Sequence, residues 1–152
     1  MGIEPNPYDI VDGELLSSDG NLLLVDEQTG SLTIPPSVTK IGEGAFANVD
    51  GLKTIIIPGT CKEIGKNAFN GNKTLENVIM QDGVEKIGEA AFKDCINLKN
   101  VKMTDSVTTL GTEAFKENRN LENITLSNSI TEIPTYAFYN NVKLKEIKLP
   151  NN

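Results

Sequence analysis

The stretch Val84-Glu-Lys-Ile87-Gly88-Glu-Ala-Ala91-Phe92-Lys-Asp-Cys95-Ile-Asn-Leu98 decides the fold, because the rest of the chain repeats it. All five phenylalanines, Phe46, Phe69, Phe92, Phe115 and Phe138, stand 23 residues apart, and each follows an alanine. Five residues before each Phe is Ile41, Ile64, Ile87, Leu110 or Ile133, and six residues after it is Leu52, Leu75, Leu98, Leu121 or Leu144. Two further columns follow: Leu32, Ile55, Val78, Val101, Ile124 and Ile147, then Ile34, Ile57, Met80, Met103, Leu126 and Leu149. A fixed period of this length, without insertions, is the signature of a solenoid.

Within each unit the pair Ile55-x-Ile57 and its equivalents alternate with period two, which predicts one short strand per repeat with those side chains inward. The segment Gly-x-x-Ala-Phe reads as a short helical turn. Gly42, Gly65, Gly88 and Gly111 share a column with Pro134, which cannot take a positive φ. The column therefore reads as a helix start, where proline is favoured, with Glu43, Glu89 and Glu113 near the positive end of the dipole. The fold class that follows is an α/β solenoid, one strand and one helical turn per coil. No coil can bury its Phe, Ile and Leu alone, so the core must form between stacked neighbours; Phe46, Phe69, Phe92, Phe115 and Phe138 are its main contributors.

The column three residues after each Phe holds Val49, Asn72, Cys95, Asn118 and Asn141. An asparagine pointing inward can hydrogen-bond the backbone of a tight turn, and a cysteine can replace it weakly. Asn72, Cys95, Asn118 and Asn141 are thus expected to form a structural ladder. Cys61 shares a column with Val38, Val84, Val107 and Ile130 and reads as a small buried hydrophobe.

The strand residues between the inward pairs point the other way and line up as Thr33, Ile56, Ile79, Lys102, Thr125 and Lys148. With strands about 4.8 Å apart these form a continuous strip, the expected partner-binding face. Flanking columns read Thr54, Asn77, Asn100, Asn123, Glu146 and Lys53, Glu76, Lys99, Glu122, Lys145. The second alternates in sign and reads as a solvated ladder of cross-strand pairs or as a polar comb facing a partner. Ile56 and Ile79 make a small apolar patch unless the N-terminal segment covers them. Tyr136 and Tyr139 read as a shield for the C-terminal end or as exposed anchors.

Composition narrows the chemistry. The chain carries 14 basic and 21 acidic residues, net charge −7, and has no histidine or tryptophan. The acidic balance disfavours nucleic acid and anionic membrane as partners, and no apolar run is long enough to span a bilayer. Without histidine the commonest general base and zinc ligand are missing. No nucleophile–base pair or metal cluster is visible, so no catalytic residue, metal or cofactor is expected and the chain reads as a non-enzyme. Residues 1–12 contain no signal-peptide pattern.

The unit Ile34-Pro-Pro-Ser-Val38-Thr-Lys-Ile41-Gly-Glu-Gly-Ala-Phe46, with its later copies, resembles the BspA-like leucine-rich-repeat family over residues 32–152. The resemblance implies a right-handed leucine-rich-repeat coil of five full repeats plus a terminal partial strand. Residues 1–31, around Tyr8-Asp-Ile-Val-Asp-Gly-Glu-Leu-Leu-Ser, look like the hairpin segment that precedes such repeats. The turn signal between its apolar runs is Ser18-Asp19-Gly20-Asn21, and the hairpin would cap the stack. Similar proteins are typically bacterial, on the cell surface or secreted, and act in adhesion. The resemblance thus implies an extracellular binding module for a protein or glycan, without membrane insertion. The rival readings are a passive spacer in a larger surface protein and the accessory binding domain of an enzyme.

Overall fold

The computed structural model describes residues 8–18 and 25–148. Here the chain winds as a β-solenoid of about 5 turns bearing two parallel stacks of strands. The longer strands, β3 (Ser31–Thr33), β5 (Thr54–Ile57), β7 (Asn77–Met80), β9 (Asn100–Lys102) and β11 (Asn123–Thr125), form a five-stranded parallel sheet in sequence order. A second sheet is built from strands of two residues each, β4 (Lys40–Ile41), β6 (Glu63–Ile64), β8 (Lys86–Ile87) and β10 (Thr109–Leu110). An antiparallel hairpin, β1 (Tyr8–Val11) and β2 (Glu14–Ser18), joins that second sheet through β2 against β4.

The core sits between the two sheets and the Ala-Phe segment. Ile55, Ile57, Ile64, Leu75, Leu98 and Leu121 are fully buried, as are Phe46, Phe69, Phe92 and Phe115. The rings stack coil upon coil, with centroids 4.9, 4.9, 5.2 and 5.6 Å apart and planes within 10°. Phe138, last in the row, is only partly buried. Offset stacking adds about 0.5–1.5 kcal/mol per pair beyond area burial.

The helical turn expected at Gly-x-x-Ala-Phe is not present; among the described residues there is no helix. The reason lies in where the backbone groups pair. One turn bond closes within each coil, such as Ala68 N–H to Gly65 O at 3.2 Å. The next N–H leaves the coil: Phe46 donates to Ala68 O at 2.7 Å, Phe69 to Ala91 O at 2.7 Å and Phe92 to Ala114 O at 2.8 Å. The residue before each alanine is left-handed, with φ of 67° at Gly44, 56° at Asn67, 53° at Ala90, 60° at Glu113 and 55° at Tyr136. Such a φ ends any right-handed helix.

The glycine column is also not a helix start. Gly65 and Gly88 donate to Ile41 O and Ile64 O, each at 2.8 Å, and so extend the second sheet. A Cβ on Gly65 would stand 2.5 Å from Ile41 O, and one on Gly88 2.8 Å from Ile64 O. Glycine is there because backbone approaches backbone. Pro134 can neither donate this bond nor continue the sheet. The second sheet stops at β10, and Ile133 is left 41 % exposed where Ile64 and Ile87 are buried.

The hairpin turns at Asp12-Gly13, where φ is 50° and 82°, the paired positive φ of a type I′ turn. Of the turn expected at Ser18-Asp19-Gly20-Asn21, Ser18 ends β2 and residues 19–21 lie outside the described residues.

Candidate interaction face

The outward row lies on the five-stranded sheet in strict register. Thr33 pairs with Ile56, Ile56 with Ile79, Ile79 with Lys102, and Lys102 with Thr125. Ile79 is 38 % exposed and Ile56 is half-buried; Thr33, Lys102, Thr125 and Lys148 are exposed. Lys148 follows the same column but is not in a strand. The hairpin joins the other sheet, so among the described residues it does not cover Ile56 and Ile79.

Beside this row runs a chain of amides that sequence reading listed only as a flanking column. Asn77 Nδ2 donates to Thr54 Oγ1 at 3.1 Å, Asn100 Nδ2 to Asn77 Oδ1 at 2.8 Å, and Asn123 Nδ2 to Asn100 Oδ1 at 2.9 Å. Every member donates toward the N-terminal end of the stack. The signal was present in the sequence, since three asparagines recur at strand positions where asparagine is otherwise disfavoured. A groove of about 390 Å3 follows the ladder, lined among others by Asn77, Ile79, Asn100, Lys102 and Asn123.

The alternating charges Lys53, Glu76, Lys99, Glu122 and Lys145 do not form a ladder of ion pairs. The ion pairs among the described residues are Lys40–Glu63, Lys93–Glu113, Lys116–Glu113 and Arg119–Glu117. It is the backbone that links this column: Lys53 O accepts Glu76 N–H at 2.7 Å, Glu76 O accepts Lys99 N–H at 2.8 Å, and Lys99 O accepts Glu122 N–H at 3.0 Å.

Inside the coils, Asn72 Nδ2 donates to Phe46 O and Val49 O at 3.0 and 3.1 Å, while its Oδ1 accepts from Thr74 and Leu75 N–H, each at 3.1 Å. Cys95 Sγ reaches Phe69 O at 3.2 Å, and Asn141 Nδ2 reaches Phe115 O at 2.8 Å. Asn118 Oδ1 accepts Cys95 N–H at 2.9 Å while its Nδ2 has no partner. Burial pushes the Cys95 thiol well above the usual range and raises Cys61 to about 11, which leaves both without nucleophilic thiolate near neutral pH.

At the C-terminal end Tyr136 and Tyr139 are exposed and meet edge to face at 5.4 Å. Lys116 Nζ sits 5.3 and 5.6 Å from their rings and pairs with Glu113 at 3.1 Å. The hydrogen bonds from Lys116 and Lys93 hold the Glu113 carboxyl below its usual range. Among the described residues no group of three or more His, Cys, Asp or Glu is placed to hold a metal, and no helix is long and apolar enough to cross a membrane.

Several solved structures share this architecture. A T. pallidum leucine-rich-repeat protein superposes with a TM-score of 0.78 at 24 % identity, over 90 % of this chain and 65 % of its own. A leucine-rich cell surface protein from Faecalibacterium prausnitzii gives 0.60 at 26 %, over 91 % and 46 %. A leucine-rich-repeat protein from Bacteroides capillosus gives 0.66 at 25 %, over 80 % and 95 %. The chain thus spans less than two thirds of the first two. No curated protein matches it significantly. The BspA type leucine-rich-repeat region matches in 6 copies over residues 62–152, more than half of the 152 residues, and the chain belongs to that family.

Proposed function

We propose that this chain is a non-catalytic protein-interaction module that recognises its partner through the outward row Thr33, Ile56, Ile79, Lys102, Thr125 and Lys148. The observation that carries the reading is the pairing of Ile56 with Ile79, two apolar side chains held side by side on an open sheet face. An uncovered apolar pair rimmed by polar groups is how an interface core looks before its partner arrives. A surface or secreted setting is supported by the F. prausnitzii neighbour, which is described as a cell surface protein.

A second reading, a structural spacer, draws support from the side-chain bonds that tie coil to coil. Besides the strand-face amides, Asn97 and Asn120 Nδ2 donate to Lys73 O and Ile96 O, both at 2.6 Å. The two readings separate in a binding screen of the chain against extracellular-matrix proteins and glycans, run beside an Ile56→Asp/Ile79→Asp double variant of unchanged circular dichroism. Binding that the variant loses supports recognition by the strand face. Binding that survives moves the site elsewhere, and no binding at all favours the spacer.

A further inference from the structure

The charges that border the strand face carry a pattern that coil stacking alone does not require. Lys53, Glu76, Lys99 and Glu122 stand at the margin of that face, one position ahead of β5, β7, β9 and β11, and alternate in sign. Lys53, Lys99 and Glu122 are exposed and Glu76 is half-buried. None of the four enters an ion pair with a described residue.

An alternating row of this kind is complementary to itself. A two-fold axis that runs parallel to the strands brings a second copy onto the face with its coils in reverse order. Where the axis passes between two coils, every lysine of the row meets a glutamate. Where it passes through a coil, every charge meets its like. The alternation therefore favours half-coil settings of one copy on the other.

The outward row selects one of these settings. Thr33, Ile56, Ile79 and Lys102 lie side by side on β3, β5, β7 and β9. An axis between β5 and β7 sets Ile56 of each copy on Ile79 of the other and gathers four apolar side chains at the centre. The same axis sets Lys53 on Glu76 twice at the margin, which gives an apolar core with a charged rim. Thr54 comes to face Asn77. Asn77 donates one amide hydrogen to Thr54 Oγ1 of its own chain at 3.1 Å and has a second to offer the other copy. Every other half-coil setting leaves Ile56 and Ile79 opposite polar side chains or none at all.

From this self-complementarity we infer that the strand face receives a second copy of this chain, docked face to face about a two-fold axis between β5 and β7. The inference rests on the interaction role proposed above and names the partner and its register. Sheet twist limits the contact to about four strands of each copy. Four strands about 4.8 Å apart, each with about four residues of about 3.3 Å, present roughly 250 Å2 of sheet. A standard interface buries about 800 Å2 per partner, so the pair is weak and forms only where the chain is concentrated.

The test is sedimentation velocity of the chain in about 150 mM salt, which screens the net charge, from about 10 µM to about 1 mM protein. The sedimentation coefficient should climb with concentration and fit a monomer–dimer equilibrium with a Kd on the order of 100 µM. Lys53→Glu sets glutamate on glutamate and Glu76→Lys sets lysine on lysine, so each variant alone should associate at least about tenfold more weakly. An equimolar mixture of the two should recover association to within about twofold of the unsubstituted chain, because every facing pair is again opposite in sign. Mixing would not repair a fold that either substitution had damaged. Ile56→Asp/Ile79→Asp should stay monomeric throughout. A chain that remains monomeric to about 1 mM, single variants that associate like the unsubstituted chain, or a mixture that does not recover overturns the proposal. Those results leave recognition of a different protein by the strand face standing, since the binding screen tests it separately. Self-association that persists in Ile56→Asp/Ile79→Asp also overturns the proposal and places the contact between copies elsewhere.

Discussion

Truncating one ring in the middle of the phenylalanine stack should damage the protein more than truncating the ring at its end. Phe92 is fully buried and has a ring on each side, 4.9 and 5.2 Å away. Phe92→Ala removes a buried aromatic side chain, about 3–5 kcal/mol for loss of transfer energy plus cavity, and within that figure are two stacking contacts of about 0.5–1.5 kcal/mol each. Phe138 has one ring neighbour, at 5.6 Å, and is only partly buried. Phe138→Ala forfeits one stacking contact and leaves a void that solvent can enter, so about 1–3 kcal/mol is expected. Lacking tryptophan, the chain is followed by far-ultraviolet circular dichroism in urea. Because each coil touches only its neighbours, Phe92→Ala should also weaken coupling between the two halves and broaden or split the transition, while Phe138→Ala shifts the midpoint of a single one. Equal losses for the two variants, or a Phe92→Ala midpoint within error of wild type, would refute the claim that coil stacking through these rings is what stabilises the fold.

The glycines offer a test of close approach against backbone conformation. Gly65→Ala, whose Cβ would meet Ile41 O at 2.5 Å, should cost about 2–3 kcal/mol by forcing two coils apart; Gly71→Ala, left-handed with open space around its Cβ, should cost only about 1–2 kcal/mol, both read in urea. The buried thiols predict an alkaline weakening: Cys61 is raised from 9.0 to about 11, so its stabilising effect is complete below the unfolded pKa and is lost as pH climbs from about 9 to about 11. Cys61→Val, the residue found at Val38, Val84 and Val107, should fold and flatten that part of the pH profile; an unchanged profile rejects the assignment. Neither Cys61 nor Cys95 should react with iodoacetamide at pH 8 until urea unfolds the chain, and rapid labelling of the native protein would contradict their burial.

The columns that carried the fold in the sequence were those whose side chains decide packing. Phe92, Ile55 and Leu98 repeat because each must fill the same hole, and a hydrophobic period survives any local detail of backbone. What stayed hidden was set by backbone groups. The second sheet uses strands of two residues, too short for alternation to register, and its glycine column follows from a carbonyl in the neighbouring coil. The left-handed turn before each alanine is held by Asn67, Ala90, Glu113 and Tyr136, which share no chemistry and so leave no pattern. The hairpin turn at Asp12-Gly13 went unread beside Asp19-Gly20, because both pairs favour a type I′ turn and spacing does not choose between them. On the candidate face, the row from Thr33 to Thr125 followed from strand alternation alone. The directed amide chain beside it did not, because donor direction depends on side-chain torsions that spacing does not fix.

One consequence lies with the second left-handed column, Gly71, Asp94, Glu117 and Asn140. A Cβ on Gly71 meets nothing within 4 Å, while Glu117 accepts from Asn140 Nδ2 at 2.9 Å and from Arg119 Nη2 at 3.0 Å, so at this place in the coil the fold dictates a backbone angle and accommodates glycine, acid or amide alike. Along an array that lengthens by duplicating its unit, such a column is a line of positions free to diverge while the stack around it stays constant. Two copies of one coil can therefore come to display different chemistry without any adjustment of their packing, and the array can change what it presents while keeping its shape.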